Sequence, residues 1–230
     1  MRIYDFANFY CQTSNLKVST ELSVNNISVT SASIPALKND EALYKEWAPK
    51  ILSRDYDGRN VPHTAKRSVT IGMAMTEKQG GSDFRANATV ARGVSEGMSD
   101  RQYELVGHKY FVSAPMSDAF LVLARTEAGI SCFLVLRWRP DCSKNPLQIQ
   151  KLKNKMGNVS NASGETELPG ALGWLVGTEG KGIATILDMV AMTRFDCMIG
   201  SSAGMRQAVA RLLITAQRGL RLARLYETSR

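Results

Sequence analysis

The densest group of residues able to handle a flat or anionic ligand is Met73-Ala-Met-Thr-Glu-Lys-Gln-Gly-Gly-Ser-Asp83. The apolar residues up to Met75 read as a strand that ends at Thr76 and opens into a loop. Gly80 and Gly81 lack a Cβ, so the backbone there can come close to a ligand. Successive backbone N–H groups in such a loop form an anion-binding concavity. Thr76 and Ser82 add hydroxyls that donate or accept. Gly-Gly-Ser-Asp is also an ordinary turn, and the local residues alone leave both readings open. The cysteines offer less. Cys11, Cys132, Cys142 and Cys197 fit no zinc or redox spacing, and only His63 and His108 could join them. They read as small buried hydrophobes.

The elements that would position the loop follow from periodicity. Ser68–Met75 reads as a strand, Gly80-Gly81 breaks it, and Thr89–Val94 is a second. Tyr103–Leu105 and Tyr110–Val112 flank Gly107-His108, which suggests a hairpin. Phe120–Arg125 and Ser131–Trp138 flank Glu127-Ala-Gly129, suggesting another. Leu147, Ile149 and Glu165–Leu168 follow. Short strands at regular spacing predict an antiparallel barrel or sandwich over about 68–174, and the absence of strand–helix alternation speaks against a Rossmann fold. From Gly180 the period becomes helical: Ile183, Ile186, Leu187, Val190, Met192 and Phe195 fit a buried helix. The small residues from Gly200 to Gly204 predict a break before a second helix. Residues 41–52 read as a short amphipathic helix interrupted at Pro49. Residues 14–33, rich in Ser, Thr and Asn, predict short strands or loose order. The expected fold class is α+β: an N-terminal segment of unassigned structure over 1–67, a β-barrel over 68–174, and the first helices of a helical domain over 175–230.

Composition is that of an ordinary globular chain: 230 residues, 44% apolar and 22% charged. No run approaches the roughly 20 apolar residues that span a bilayer. No apolar core follows the basic residue near Met1, so the start does not read as a signal peptide, and a cytoplasmic protein is the expectation. The net charge of +8 is uneven: from Gly204 onward six arginines face the single acid Glu227. Such a stretch suits nucleic acid or another acidic surface; it also suits a solvated helix face.

Several of these segments, in this order, resemble the acyl-CoA dehydrogenase family. MTEKQGGSD resembles the family's flavin-contacting loop, in the version of its AidB-like, alkylation-response branch. Leu105-Val-Gly-His-Lys-Tyr-Phe-Val-Ser113, Ser131-Cys-Phe-Leu-Val135, Lys155-Met-Gly-Asn-Val-Ser-Asn-Ala-Ser163, Trp174-Leu-Val-Gly-Thr-Glu-Gly-Lys-Gly182 and Met192-Thr-Arg-Phe-Asp-Cys197 resemble the segments that follow it. The resemblance spans about residues 43–210. It implies FAD as cofactor and an acyl-CoA thioester as substrate. A glutamate would remove the α-proton while the β-hydride passes to flavin N5. It places Met73, Met75, Thr76, Gly81, Ser82, Phe111, Val112 and Ser113 at the flavin, with Phe111 packing against the ring where many relatives carry Trp. It also implies a homo-oligomer among full-length relatives. The base would lie in a later helix that is not matched here. Glu77, Glu165, Glu167, Glu179 and Glu227 are poor substitutes. No resemblance extends over residues 1–40 or beyond about Leu213, as a truncated or frameshifted product would show. The expected function is an FAD-dependent acyl-CoA dehydrogenase-like oxidoreductase with impaired activity. The alternatives are a non-catalytic flavin-binding remnant and a DNA-associated alkylation-response protein.

Overall fold

The computed structural model describes residues 21–79, 81, 83–94, 101–156, 159 and 161–228. Seven strands form one sheet: β1 Ile71–Thr76, β2 Val90–Gly93, β3 Gln102–Ser113, β4 Ala119–Thr126, β5 Gly129–Leu136, β6 Gln148–Leu152 and β7 Ser163–Val176. Pairings run β1–β3–β7–β5–β4 and back to β1, so the sheet closes on itself as a barrel. β2 joins β3, and β6 lies on β7. Closure leaves fewer free strand edges. The pairing is antiparallel except where β1, and one residue of β2, run parallel to β4. The uniformly antiparallel expectation is corrected at that seam.

Two apolar clusters explain the sequence of the hairpin β4–β5. Phe120, Val122 and Ala124 alternate with Leu121 and Leu123, and Phe133 and Val135 with Cys132 and Leu134. The first set fills the barrel with Leu105, Val112, Leu168 and Ala171. The second packs outside it against Val29, Ala32, Ala36, Trp47, Ile186 and Met189. Both faces are buried, so these strands read as continuous apolar runs rather than alternating ones.

The outer cluster corrects the reading of residues 14–33. Glu21–Leu37 is a helix (α1), not strands; residues before it lie outside the described ones. Its Ser, Thr and β-branched content is poor for a helix. Tertiary contacts supply the reason for it: Val29, Ala32, Ser33 and Ala36 fall three and four apart and are all buried. Thr30 Oγ1 accepts from Ile71 N at 2.9 Å, tying α1 to the first residue of β1. Glu41–Ile51 (α2) starts on Asp40, whose carboxylate accepts from Leu43 N at 3.0 Å. It continues past Pro49 to bury Ile51.

Two further expectations change. The residues around Gly107 are not a hairpin turn but the middle of the 12-residue strand β3. The glycine is there because Thr89 crosses close by: a Cβ at Gly107 would lie 2.7 Å from Thr89 Cα. Past the barrel, Gly182–Thr228 is one helix (α3), unbroken at Gly200–Gly204. A glycine in a helix costs only about 1 kcal/mol, and the flanking Ala, Met, Arg and Leu are strong helix formers. Chain contacts divide the protein into two units. One is Glu21–Thr193, with the barrel, α1, α2 and the start of α3. The rest of α3 belongs to the other. No helix among the described residues is long and apolar enough to cross a membrane.

Candidate functional site

The end of β1 meets the end of β3. Met73 pairs with Ser113 and Thr76 with Phe111, and β1 carries one extra residue between the two pairs. This bulge turns Thr76 to the face that Phe111 and Ser113 share, because residues two apart on a strand point the same way. Strands 35 residues apart in sequence thus bring Met73, Thr76, Phe111 and Ser113 onto one surface. Phe111 is 40% exposed there, unusual for a large aromatic in a barrel strand. Thr76 and Ser113 are half-buried, and neither hydroxyl has a hydrogen-bond partner among the described residues. Gly81 is exposed beside them, with only Thr76 Cγ2 within 4 Å of where its Cβ would sit. Met73 and Met75 pack on the outer cluster. Val112 points the other way, 3% exposed in the barrel interior; what it can offer a ligand on this surface is its backbone. Ser82 lies outside the described residues.

The surface rests on a buried ion pair that the sequence reading did not single out. Lys109, fully buried, donates from Nζ to Glu77 Oε1 at 2.7 Å. Glu77 also accepts from Thr89 Oγ1 and Thr89 N, from Ala88 N at 2.6 Å and from Gln79 Nε2 at 2.8 Å. Burial pushes the Glu77 carboxyl up, but the Lys109 ammonium and these donors outweigh it and hold it at about 2. Burial lowers Lys109 more than Glu77 raises it. The pair fastens the loop after β1 to β3 and to the approach of β2. The available signal was an acid directly after Thr76 and a lysine two residues before Phe111, on the same strand as the buried Leu105 and Val112.

Around Phe111 the charges are also paired. Lys153 Nζ lies 4.6 Å from the Phe111 ring centre and donates to Glu165 at 2.6 Å. Glu165 is held below the usual carboxylate range by that lysine first. His108 Nδ1 is 2.7 Å from Glu167. Of the cysteines, Cys132 is buried and its thiol pushed up to about 12 by desolvation. Cys142 and Cys197 are exposed, against expectation; one lies in a surface turn and the other on α3, where no partner element buries them among the described residues. Cys11 lies outside the described residues. Arg206, Arg211 and Arg218 occupy exposed positions of α3.

Residues 72–170, which contain the paired ends of β1 and β3, match the model of the acyl-CoA dehydrogenase middle domain. Residues 14–58 match that of the adaptive response protein AidB N-terminal domain. The chain belongs to the acyl-CoA dehydrogenase family. It is AidB-like: it is 50% identical to AidB of Escherichia coli (strain K12) over 79% of the chain and 33% of that protein. It is 29% identical to acyl-CoA dehydrogenase family member 11 of Caenorhabditis elegans over 93% of the chain and 32% of the relative. The chain therefore spans about a third of the length of these relatives. Among solved structures, Caenorhabditis elegans ACDH-11 in complex with C11-CoA superimposes with a TM-score of 0.68, at 24% identity over 90% of this chain and 40% of that one. An acyl-CoA dehydrogenase complexed with FAD from Bacillus anthracis gives 0.61, at 23% identity over 78% and 28%. At these identities the two structures speak for the fold. The match over 14–58 also corrects the expectation that residues 1–40 bear no resemblance to the family.

Proposed function

We propose that this AidB-like chain carries the flavin-binding surface of an FAD-dependent acyl-CoA dehydrogenase-like oxidoreductase. The observation that carries the reading is the β1–β3 register. It sets two uncommitted hydroxyls, Thr76 and Ser113, around a half-exposed Phe111 ring, beside the uncrowded backbone of Gly81. These residues fit an isoalloxazine ring, which needs an apolar face and hydrogen-bonding groups along its polar edge. When bound, FAD supplies the hydride acceptor for α,β-dehydrogenation of an acyl-CoA thioester. The protein's part is positional. Phe111 packs against one ring face, and Met73 and Met75 form an apolar flank. Thr76 and Ser113 donate to or accept from the ring's polar atoms, and Glu77–Lys109 holds both strand ends at fixed separation.

The proton step needs a base within hydrogen-bond reach of the substrate. Glu77 is saturated with donors, Glu165 is paired with Lys153, Glu167 with His108, and Glu179 with Tyr103. None of these four is free to act as that base. General-base help contributes ~10²–10⁴ in rate, so this chain, loaded with FAD, is expected to dehydrogenate acyl-CoA negligibly. Flavin fluorescence titration tests the binding half. Thr76→Val and Ser113→Ala should each weaken FAD binding about three- to tenfold, the worth of one hydrogen bond, and Phe111→Ala should weaken it further. Unchanged affinity in all three overturns the assignment. Anaerobic mixing with isovaleryl-CoA tests the other half, where bleaching of the flavin band within seconds would show that one of these glutamates is the base.

A further inference from the structure

A second cleft opens on the other side of β3, at the end of the barrel between Pro115 and β6, with a volume of about 170 Å³. Its floor is apolar: Val112, Phe120, Leu147 and Ile149. Its charged lining is cationic, with Arg137 and Lys144 beside the neutral Asn60 and Asn145, and no carboxylate is among its described lining residues. Arg137 is half-buried. It donates from Nε to Ser117 O at 2.7 Å and from Nη2 to Pro115 O, and its guanidinium lies 6.0 Å from the Phe120 ring centre. Its Nη1 amino group has no protein partner among the described residues, and no carboxylate there is within ion-pair distance. The acid that acts on it, Asp118, is committed to Lys66 at 2.7 and 2.9 Å and to Thr70. Burial accordingly lowers the Arg137 pKa. Thr166, 2% exposed, lines the same cleft, and its Oγ1 has no hydrogen-bond partner among the described residues.

A half-buried guanidinium with no carboxylate partner and a buried hydroxyl left unsatisfied are costly features unless something meets them. Both face one small space with an apolar floor and a second cation at its rim. We propose that this cleft binds a small monocarboxylate with a short apolar body. The carboxylate would accept from Arg137 Nη1 and Thr166 Oγ1 within reach of the Lys144 ammonium, and the hydrocarbon would lie on Phe120, Leu147 and Ile149. The site is separate from the flavin surface, although Val112 lies between Phe111 and Ser113 in sequence and so gives the two sites a common wall.

Isobutyrate is a suitable probe, and titration calorimetry on the full chain, with no flavin added, reads the site directly. Isobutyrate should bind saturably with one-to-one stoichiometry, while neutral isobutyramide and chloride at equal concentration should not. Thr166→Val keeps the shape and removes the hydroxyl, and should weaken isobutyrate binding about tenfold, as loss of a hydrogen bond to a charged group does. It should also leave the melting temperature of the ligand-free chain unchanged or raised, since an unsatisfied buried group is gone. Lys144→Met, at an exposed position, should weaken binding about two- to fivefold and carries the test if Thr166→Val fails to fold. No saturable binding of isobutyrate, equal binding of isobutyramide or chloride, or unaltered affinity in both variants overturns the proposal.

Discussion

Replacing Glu77 by Gln should be the most damaging conservative change in the barrel. Lys109 is fully buried and its ammonium has one partner among the described residues, Glu77 Oε1 at 2.7 Å. A glutamine offers one carbonyl oxygen where the carboxylate meets five donors, and it brings an NH₂ group toward the N–H groups of Ala88 and Thr89. The ammonium is left charged and uncompensated, a situation that costs ~3–5 kcal/mol, a third or more of the ~5–15 kcal/mol that holds a typical domain. Lys109→Met should cost less, about 1–3 kcal/mol, because Glu77 keeps Thr89 Oγ1, Thr89 N, Ala88 N and Gln79 Nε2. The double variant should be more stable than the sum of the single losses predicts, with a coupling of about 0.5–3 kcal/mol. Urea unfolding followed by tryptophan fluorescence measures all three, since Trp47, Trp138 and Trp174 lie in the barrel unit. The sign of the pH dependence follows from the same pair. The Glu77 carboxyl titrates at about 2 in the folded protein against 4.5 when free. Its stabilisation is fully present above pH 4.5 and is lost as pH falls from there toward 2. Glu77→Gln should flatten the stability profile in that window. A Glu77→Gln protein within about 1 kcal/mol of the parent at neutral pH, or a profile that keeps its slope, would refute the reasoning.

Two other outcomes follow from burial and close approach. Gly107→Ala should destabilise the barrel by about 1–3 kcal/mol, the cost of overpacking, because the new Cβ would lie 2.7 Å from Thr89 Cα. Thr89 is also a donor to Glu77, so the acid transition of this variant should move to higher pH; a melting temperature equal to the parent's would contradict the close crossing of β2 and β3. Cys132, buried and pushed up to about 12, should stay unmodified by a thiol reagent at pH 8 in the folded chain, while exposed Cys142 and Cys197 react. Mass mapping that finds Cys132 modified as fast as they are would place it at the surface.

Much of the barrel was legible because its signals are local. The apolar runs of β4 and β5 and the Glu127-Ala-Gly129 turn mark a hairpin whatever surrounds it, and the Met73–Asp83 loop carries its glycines and hydroxyls in one stretch. The same local reading placed Thr76 at a strand end, Phe111 in a strand and Ser113 just past it, but could not show that one extra residue in β1 turns all three to one face. It misread residues whose structure is decided by distant partners. The Ser- and Thr-rich stretch before Pro35 became helix α1 because Val29, Ala32 and Ala36 are buried against the barrel and Thr30 meets Ile71, 41 residues away. Gly107 looked like a turn and is a crossing point with Thr89. Glu77 was read only as a loop glutamate ill placed to be the base, and Lys109, 32 residues away, was not singled out; the two are a pair withdrawn from water. A sequence fixes the polarity and the backbone freedom of each residue. Which groups lose their water, and to whom, depends on which strands meet, and that only the closed tertiary structure decides.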